Sequence, residues 1–278
     1  MHTTKAGFRR SGAAPRAILL ALVACLCPAG VFGLGKAIVS EFSLTTKDLQ
    51  NMTAGLPKTI QEGISARPAD FLHLLAAVLA EPADLLVLVD KTHLLPSDAV
   101  PPDLVSLGDY RLSVSRNDLQ LRKSIMPAVL AMDSAARAAG APLLYSSSYR
   151  SYDYQAEVYA RAVQQDGQAQ ADRESARPGA SQHQLGTVID FGSITEAFAD
   201  TKQGKWLAAH AWEYGFSLSY PDAYESVTGY MHESWHYRYI TKPAARLQRQ
   251  FFGDIQQYML VFLNDKRAEL EASLRKGD

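Results

Sequence analysis

Between residues 121 and 139 the apolar positions Leu121, Ile125, Val129, Met132 and Ala136 recur at three- and four-residue spacing, and Gly140 follows. That period predicts one amphipathic helix closed by glycine, with Pro127 disturbing its first turn. Residues 152–164 predict another helix, which puts Gln155 near its start and facing a cleft. A third is predicted over 206–214, ended by Gly215, with His210 on its surface. Beyond Pro243 the stripe Leu247, Phe251, Ile255, Tyr258, Met259 and Phe262 predicts a long helix that docks on the domain. Its charged end, 266–276, is expected to fray. Shorter apolar runs at 85–89, 142–145, 187–191 and 216–218 read as strands, the first and third of them buried. Around His236, Trp235 and Tyr237 alternate as on a strand with one face on the core. Residues 165–178 are polar and read as an exposed loop before the richest stretch of the chain. Alternating helix and strand signals alone permit an α/β fold.

Composition narrows the classes. The 278 residues are 47% hydrophobic and 21% charged, with a net charge of −1. One domain of moderate size plus an extension fits that length, and nothing gives the strongly basic surface that nucleic-acid binding wants. Lys5, Arg9, Arg10 and Arg16 precede an apolar run over 17–25. A basic start and a run this short read as an export signal, since a bilayer span takes about 18 apolar residues. Counting on to Leu34 leaves an uncleaved anchor open, and Leu22 to Cys25 resembles a bacterial lipoprotein signal with Cys25 lipidated. Cys25 and Cys27 are the only cysteines, so the domain beyond them has no disulfide and must be held by packing. We therefore divide the chain into a signal or anchor (1–34), a helical spacer (35–81) with a cap at Thr46, and a catalytic domain (82–278) that includes the C-terminal helix. A monomer is expected.

Two stretches carry the candidate chemistry. One holds Ser181, His183, Gly186 and Asp190; the other holds Glu233, Trp235 and His236. Two imidazoles and a carboxylate suit zinc, and three protein ligands leave a fourth position open, as catalytic sites do. His183, Asp190 and His236 are the candidate ligands. Asp190 lies between Ile189 and Phe191, and a carboxylate in an apolar run needs a partner. Glu233, three residues before His236, is free to move protons. Gly186 lets the backbone turn after His183. Arg150 presents a fixed fork suited to a carboxylate or an oxyanion. Ser181 is either a turn cap or, sharing a face with His183 in an extended segment, a substrate contact. Lys91 and His93 either shape an entrance or sit in a plain loop. His232 should point away from Glu233, and Trp235 should pack beneath the ligands.

Ser181, His183, Gly186, Ile189 and Asp190, followed by Glu233, Trp235 and His236, resemble the zinc D-alanyl-D-alanine carboxypeptidases of the VanY type (peptidase family M15B). Residues 147–151 with Gln155 resemble that family's substrate-binding segment, and 86–95 with 102–104 its opening segment. The resemblance runs over roughly residues 83–265. It implies an α+β fold with a small antiparallel sheet, helices packed against it and one Zn2+ in a central cleft. It also implies hydrolysis of the terminal peptide bond of a peptidoglycan stem peptide. Glu233 and Arg150 would be catalytic, and Arg150, Gln155 and Ser181 would bind substrate. Rival readings are an L,D-carboxypeptidase on tetrapeptide stems, a D,D-dipeptidase and a non-catalytic zinc module that binds the wall. Ser148 stands where the family has glycine, and Ser219 where it commonly has arginine. The latter change is expected to remove a charge from the cleft rim. Location in the periplasm or cell envelope follows, with a cleaved signal, membrane attachment through the N-terminal segment and lipidation of Cys25 all left open.

Overall fold

The computed structural model describes residues 41–275. The expectations for the signal, the anchor and Cys25 lie outside them. Helices α1 (Thr46–Thr53), α2 (Lys58–Ala66) and α3 (Pro68–Leu79) come first. The cap of α1 is Thr45, one residue before the expected one. Its hydroxyl accepts from the Asp48 amide while the Asp48 carboxylate takes the Thr45 amide.

Residues 85–89 are not a strand. A 3-10 turn, Ala83–Leu85, leads into an irregular segment. Its Leu85 and Val87 carbonyls accept from the Arg238 guanidinium, at 3.2 and 2.7 Å, instead of from a strand partner. The helix expected over 121–139 divides in two. Gln120–Arg122 is strand β2, antiparallel to β1 (Leu104–Ser106), and α4 spans Met126–Ala138. Pro127 lies in the first turn of α4, where no backbone donor is needed. Asp103 holds the preceding corner by accepting from Arg122 Nε at 2.8 Å and the Ser124 amide at 3.0 Å.

The strand expected over 142–145 forms three residues later, as β3 (Tyr145–Ser147), and leads to α5 (Tyr152–Asp166), which covers the expected 152–164. The supposed loop after it contains α6 (Gln168–Glu174). Gly167 turns the chain at φ 79°, and Asp172 ties α6 to α5 through the Tyr159 hydroxyl at 2.7 Å. Then come β4 (Val188–Phe191), α7 (Lys202–His210), β5 (Phe216–Leu218), α8 (Glu225–Thr228) and β6 (His236–Tyr239). The strands form one antiparallel sheet in the order β3-β4-β6-β5. The fold is α+β, as the resemblance implies, and not α/β.

After Pro243 there are two helices rather than one, α9 (Lys242–Phe251) and α10 (Gln256–Ser273). Gly253 and Asp254, at φ 64° and 63°, reverse the chain between them. The charged end of α10 does not fray before Ser273. Leu270 is buried, Arg267 pairs with Glu271 at 3.1 Å, and the Ser43 amide donates to the Ser273 carbonyl at 2.8 Å.

Apolar side chains gather in two clusters. One joins α1–α3 to α9 and α10 around Phe71, Phe251, Phe252 and Phe262; the other joins the sheet to α4 and α7 around Tyr145, Ile189, Phe191 and Phe216. Among the described residues no helix is long and apolar enough to cross a membrane.

Candidate metal centre

Register places two of the three donors. In β4 and β6, Asp190 pairs directly with His236, so both side chains leave the same face of the sheet. His183 comes from the 3-10 turn Gln182–Leu185 just before β4. Ser181 caps that turn, its hydroxyl accepting from the His183 amide at 3.3 Å. Gly186 closes it in the left-handed conformation at φ 67°.

The donors then converge. His183 Nε2 lies 3.2 Å from Asp190 Oδ2, His236 Nδ1 lies 3.2 Å from Asp190 Oδ1, and one donor atom from each residue falls within 4.8 Å of the others. All three side chains are buried. Asp190 Oδ1 makes no hydrogen bond despite that burial. Two imidazole nitrogens and a carboxylate oxygen gathered this closely, buried, form a donor set that suits zinc. Arg150 already brings positive charge to these donors, its NH2 lying 2.9 Å from His183 Nε2 and 3.3 Å from Asp190 Oδ2.

Each ring is held from behind. His183 Nδ1 donates to the Ser148 carbonyl at 2.6 Å, which turns Nε2 toward Asp190. His236 Nε2 faces Gln182 Oε1 at 3.4 Å, which turns Nδ1 inward. Such contacts fix the tautomer and orientation of metal-binding imidazoles. Tyr220 packs on the His236 ring, with centroids 4.7 Å apart. Burial first, then the Arg150 charge, pushes His183 down to about 4, so its ring is neutral. At His236 burial opposes the proton, but the carboxylates of Asp190 and Glu233 outweigh it and raise the pKa to about 9. Burial also opposes charge on Asp190, yet the two imidazoles hold its carboxyl well below the usual range.

Glu233 Oε2 sits 3.2 Å from His236 Nδ1, and burial raises its pKa above the usual carboxylate value. Arg150 NH1 donates to Gln155 Oε1 at 3.0 Å, and Gln155 Nε2 donates to the Ala176 carbonyl at 2.7 Å. Gln155 thus stands at the start of α5, facing the site. Ser181, Gln155, Arg150 and Glu233 all border one cleft of about 600 Å3 that has the donor triangle on its wall. Trp235 and His232 also border it, so Trp235 is not confined to packing beneath the ligands. His232 Nδ1 turns to the Tyr220 carbonyl at 3.1 Å. Lys91 reaches the Asp172 carbonyl at 2.6 Å and lies 4.7 Å over the ring of Tyr230, a residue of the cleft wall. His210 pairs with Glu213 on the surface, away from the cleft.

Ser219 is not at the rim. It is 3% exposed and donates its hydroxyl to Gln182 Oε1 at 2.8 Å, behind His236. Gln182, the Ser148 carbonyl and Tyr220 escape sequence reasoning. A backbone carbonyl has no side-chain signature, and Gln182 gains meaning only from partners far along the chain.

Residues 118–242 match the family model described as VanY: D-alanyl-D-alanine carboxypeptidase. The putative carboxypeptidase YodJ of Bacillus subtilis (strain 168) is 36% identical over 188 residues, which are 65% of this chain and 68% of that protein. Among solved structures, the LdcB LD-carboxypeptidase aligns at 34% identity with a TM-score of 0.58, over 64% of this chain and 85% of that one. The vancomycin resistance D,D-pentapeptidase VanY from a VanB-type cassette, a mutant form in complex with Zn(II), aligns at 26% identity with a TM-score of 0.54. That match covers 64% of this chain and 99% of the other.

Proposed function

The chain belongs to the VanY family of zinc D-alanyl-D-alanine carboxypeptidases, and from that premise we propose that it trims the carboxyl end of peptidoglycan stem peptides, with tetrapeptide stems preferred. The observation that carries the reading is the donor triangle of His183, Asp190 and His236, with Glu233 and Arg150 on the same cleft. His183 Nε2, Asp190 and His236 Nδ1 would hold zinc. Bound there, zinc supplies a Lewis acid for the scissile carbonyl and lowers the pKa of water.

The chain's own groups do the rest. The Glu233 carboxylate takes a proton from the attacking water and returns it to the amine nitrogen of the departing alanine. Its raised pKa suits a group that must both accept and release that proton. Arg150 donates from its fork to the substrate's carbonyl oxygen or terminal carboxylate, and Gln155 keeps the fork aligned. The Ser181 hydroxyl, already receiving the His183 amide, can offer its own proton to the peptide. A cleft of about 600 Å3 suits a ligand larger than a free dipeptide.

The preference for an L,D bond rests on likeness. The LD-carboxypeptidase shares more sequence with this chain, 34% against 26%, than the D,D-pentapeptidase does. A D,D reading on pentapeptide stems is favoured by the description of the matched family. Separate incubation with tetrapeptide, pentapeptide and free D-alanyl-D-alanine, with products identified by mass, decides between them. Highest kcat/KM on tetrapeptide supports the proposal. Highest kcat/KM on pentapeptide transfers it to the D,D class, and release from none of them overturns it. Such a substrate lies outside the cytoplasm, so we propose export through residues 1–34. A soluble cytoplasmic chain that keeps its whole N-terminus by mass would contradict that.

A further inference from the structure

One line of hydrogen bonds connects the C-terminal helices to His236. Gln256, the first residue of α10, is 1% exposed, and its Nε2 donates to Ser219 Oγ at 3.3 Å. The Ser219 hydroxyl donates to Gln182 Oε1 at 2.8 Å. His236 Nε2 faces the same Oε1 at 3.4 Å. All four side chains are buried, at 1–4% exposure. With the Gln256 amide turned so that its NH2 faces Ser219, the directions follow from the donors available. An amide hydrogen from Gln256 occupies a lone pair of Ser219, so the single serine proton points to Gln182. That proton fixes which end of the Gln182 amide faces inward, because an NH2 there would meet it head on. The Gln182 oxygen is then left to accept from His236 Nε2. Only Nδ1 remains to face Asp190 Oδ1, 3.2 Å away.

We propose that Gln256 and Ser219 are positioning residues of the metal centre, acting through Gln182 to present His236 with Nδ1 toward the metal. Gln256 lies outside the matched family segment, which ends at residue 242, so the line brings the first residue of α10 to the metal centre from beyond that segment. The inference rests on the reading of His183, Asp190 and His236 as zinc ligands.

The test is zinc affinity of the purified full chain, measured by competition with a chromogenic chelator. Removing a group that orients a metal-bound histidine typically weakens the metal by about 10- to 100-fold. Gln182→Leu should fall in that range. Gln256→Met and Ser219→Ala should each lose about 10-fold, and the two together little more than one alone, since both act through one amide. Gln182→Glu distinguishes orientation from packing. A carboxylate accepts through either oxygen, so in that background Gln256→Met should no longer weaken zinc. Parental affinity in Gln256→Met, or the same loss with and without Gln182→Glu, would overturn the inference while leaving the ligand set standing. A parent chain that takes up no zinc would overturn the ligand reading and this inference with it.

Discussion

Glu233 combines contact with a ligand ring, at 3.2 Å, and a pKa raised by burial. Those two properties suit the proton carrier proposed for it. Glu233→Gln should therefore keep its zinc while kcat falls by about 100-fold or more. Metal analysis of the purified variant beside steady-state rates checks both halves, and a zinc-loaded variant with near-parental kcat would contradict the role. At this scale the sequence reveals the groups whose chemistry is unusual for their surroundings. Asp190 stands in an apolar strand, and His236 follows a glutamate at close range, so both can be picked out in the chain. Ser219 shows the opposite. As a single position it reads as a lost charge near the rim, yet it is buried and its partners are Gln182 and Gln256, each 37 residues away. No local pattern encodes such a pairing.

Among the elements, the 3-10 turn Gln182–Leu185 places His183 and depends on Gly186. A Cβ on Gly186 would have to fit a φ of 67° and come within 3.0 Å of Leu104 Cδ2, 3.1 Å of Arg122 Cγ and 3.2 Å of Pro101 Cγ. Gly186→Ala should cost about 1–2 kcal/mol from the left-handed backbone, and more where those neighbours cannot yield. Denaturant unfolding measures the cost, and an unchanged midpoint would contradict it. The apolar periods over 121–136 and 247–262 do mark helices, α4 and the pair α9 and α10, but not where those helices begin or break. The strands are three or four residues long, too short for a period to establish itself. That is why 85–89 reads as a strand although Arg238 satisfies its carbonyls, and why β2 hides in an apparent helix. The pairing of Asp190 with His236 is likewise a matter of register, which the sequence of either strand alone does not contain.

Over the whole molecule, the helices before residue 80 and those after 241 share one apolar cluster, so the stretch read as a spacer packs with the chain's far end. Phe71 is fully buried there, 5.3 Å from the Phe251 ring and 6.0 Å from that of Phe262. Phe71→Ala should cost about 3–5 kcal/mol, read as a lower denaturant midpoint. A loss under about 1 kcal/mol would mean that these helices contribute little to the fold. Contacts between segments so distant in sequence are not legible from composition or period, whereas the amphipathic stripes that make them are. The account as a whole turns on one ion at one place. Crystals of the full domain, grown without chelator and measured on both sides of the zinc absorption edge, test it most directly. The predicted result is a single anomalous peak at about 2.0–2.2 Å from His183 Nε2, His236 Nδ1 and one Asp190 oxygen. A peak elsewhere, or none at the triangle in protein that hydrolyses stem peptides, would contradict it.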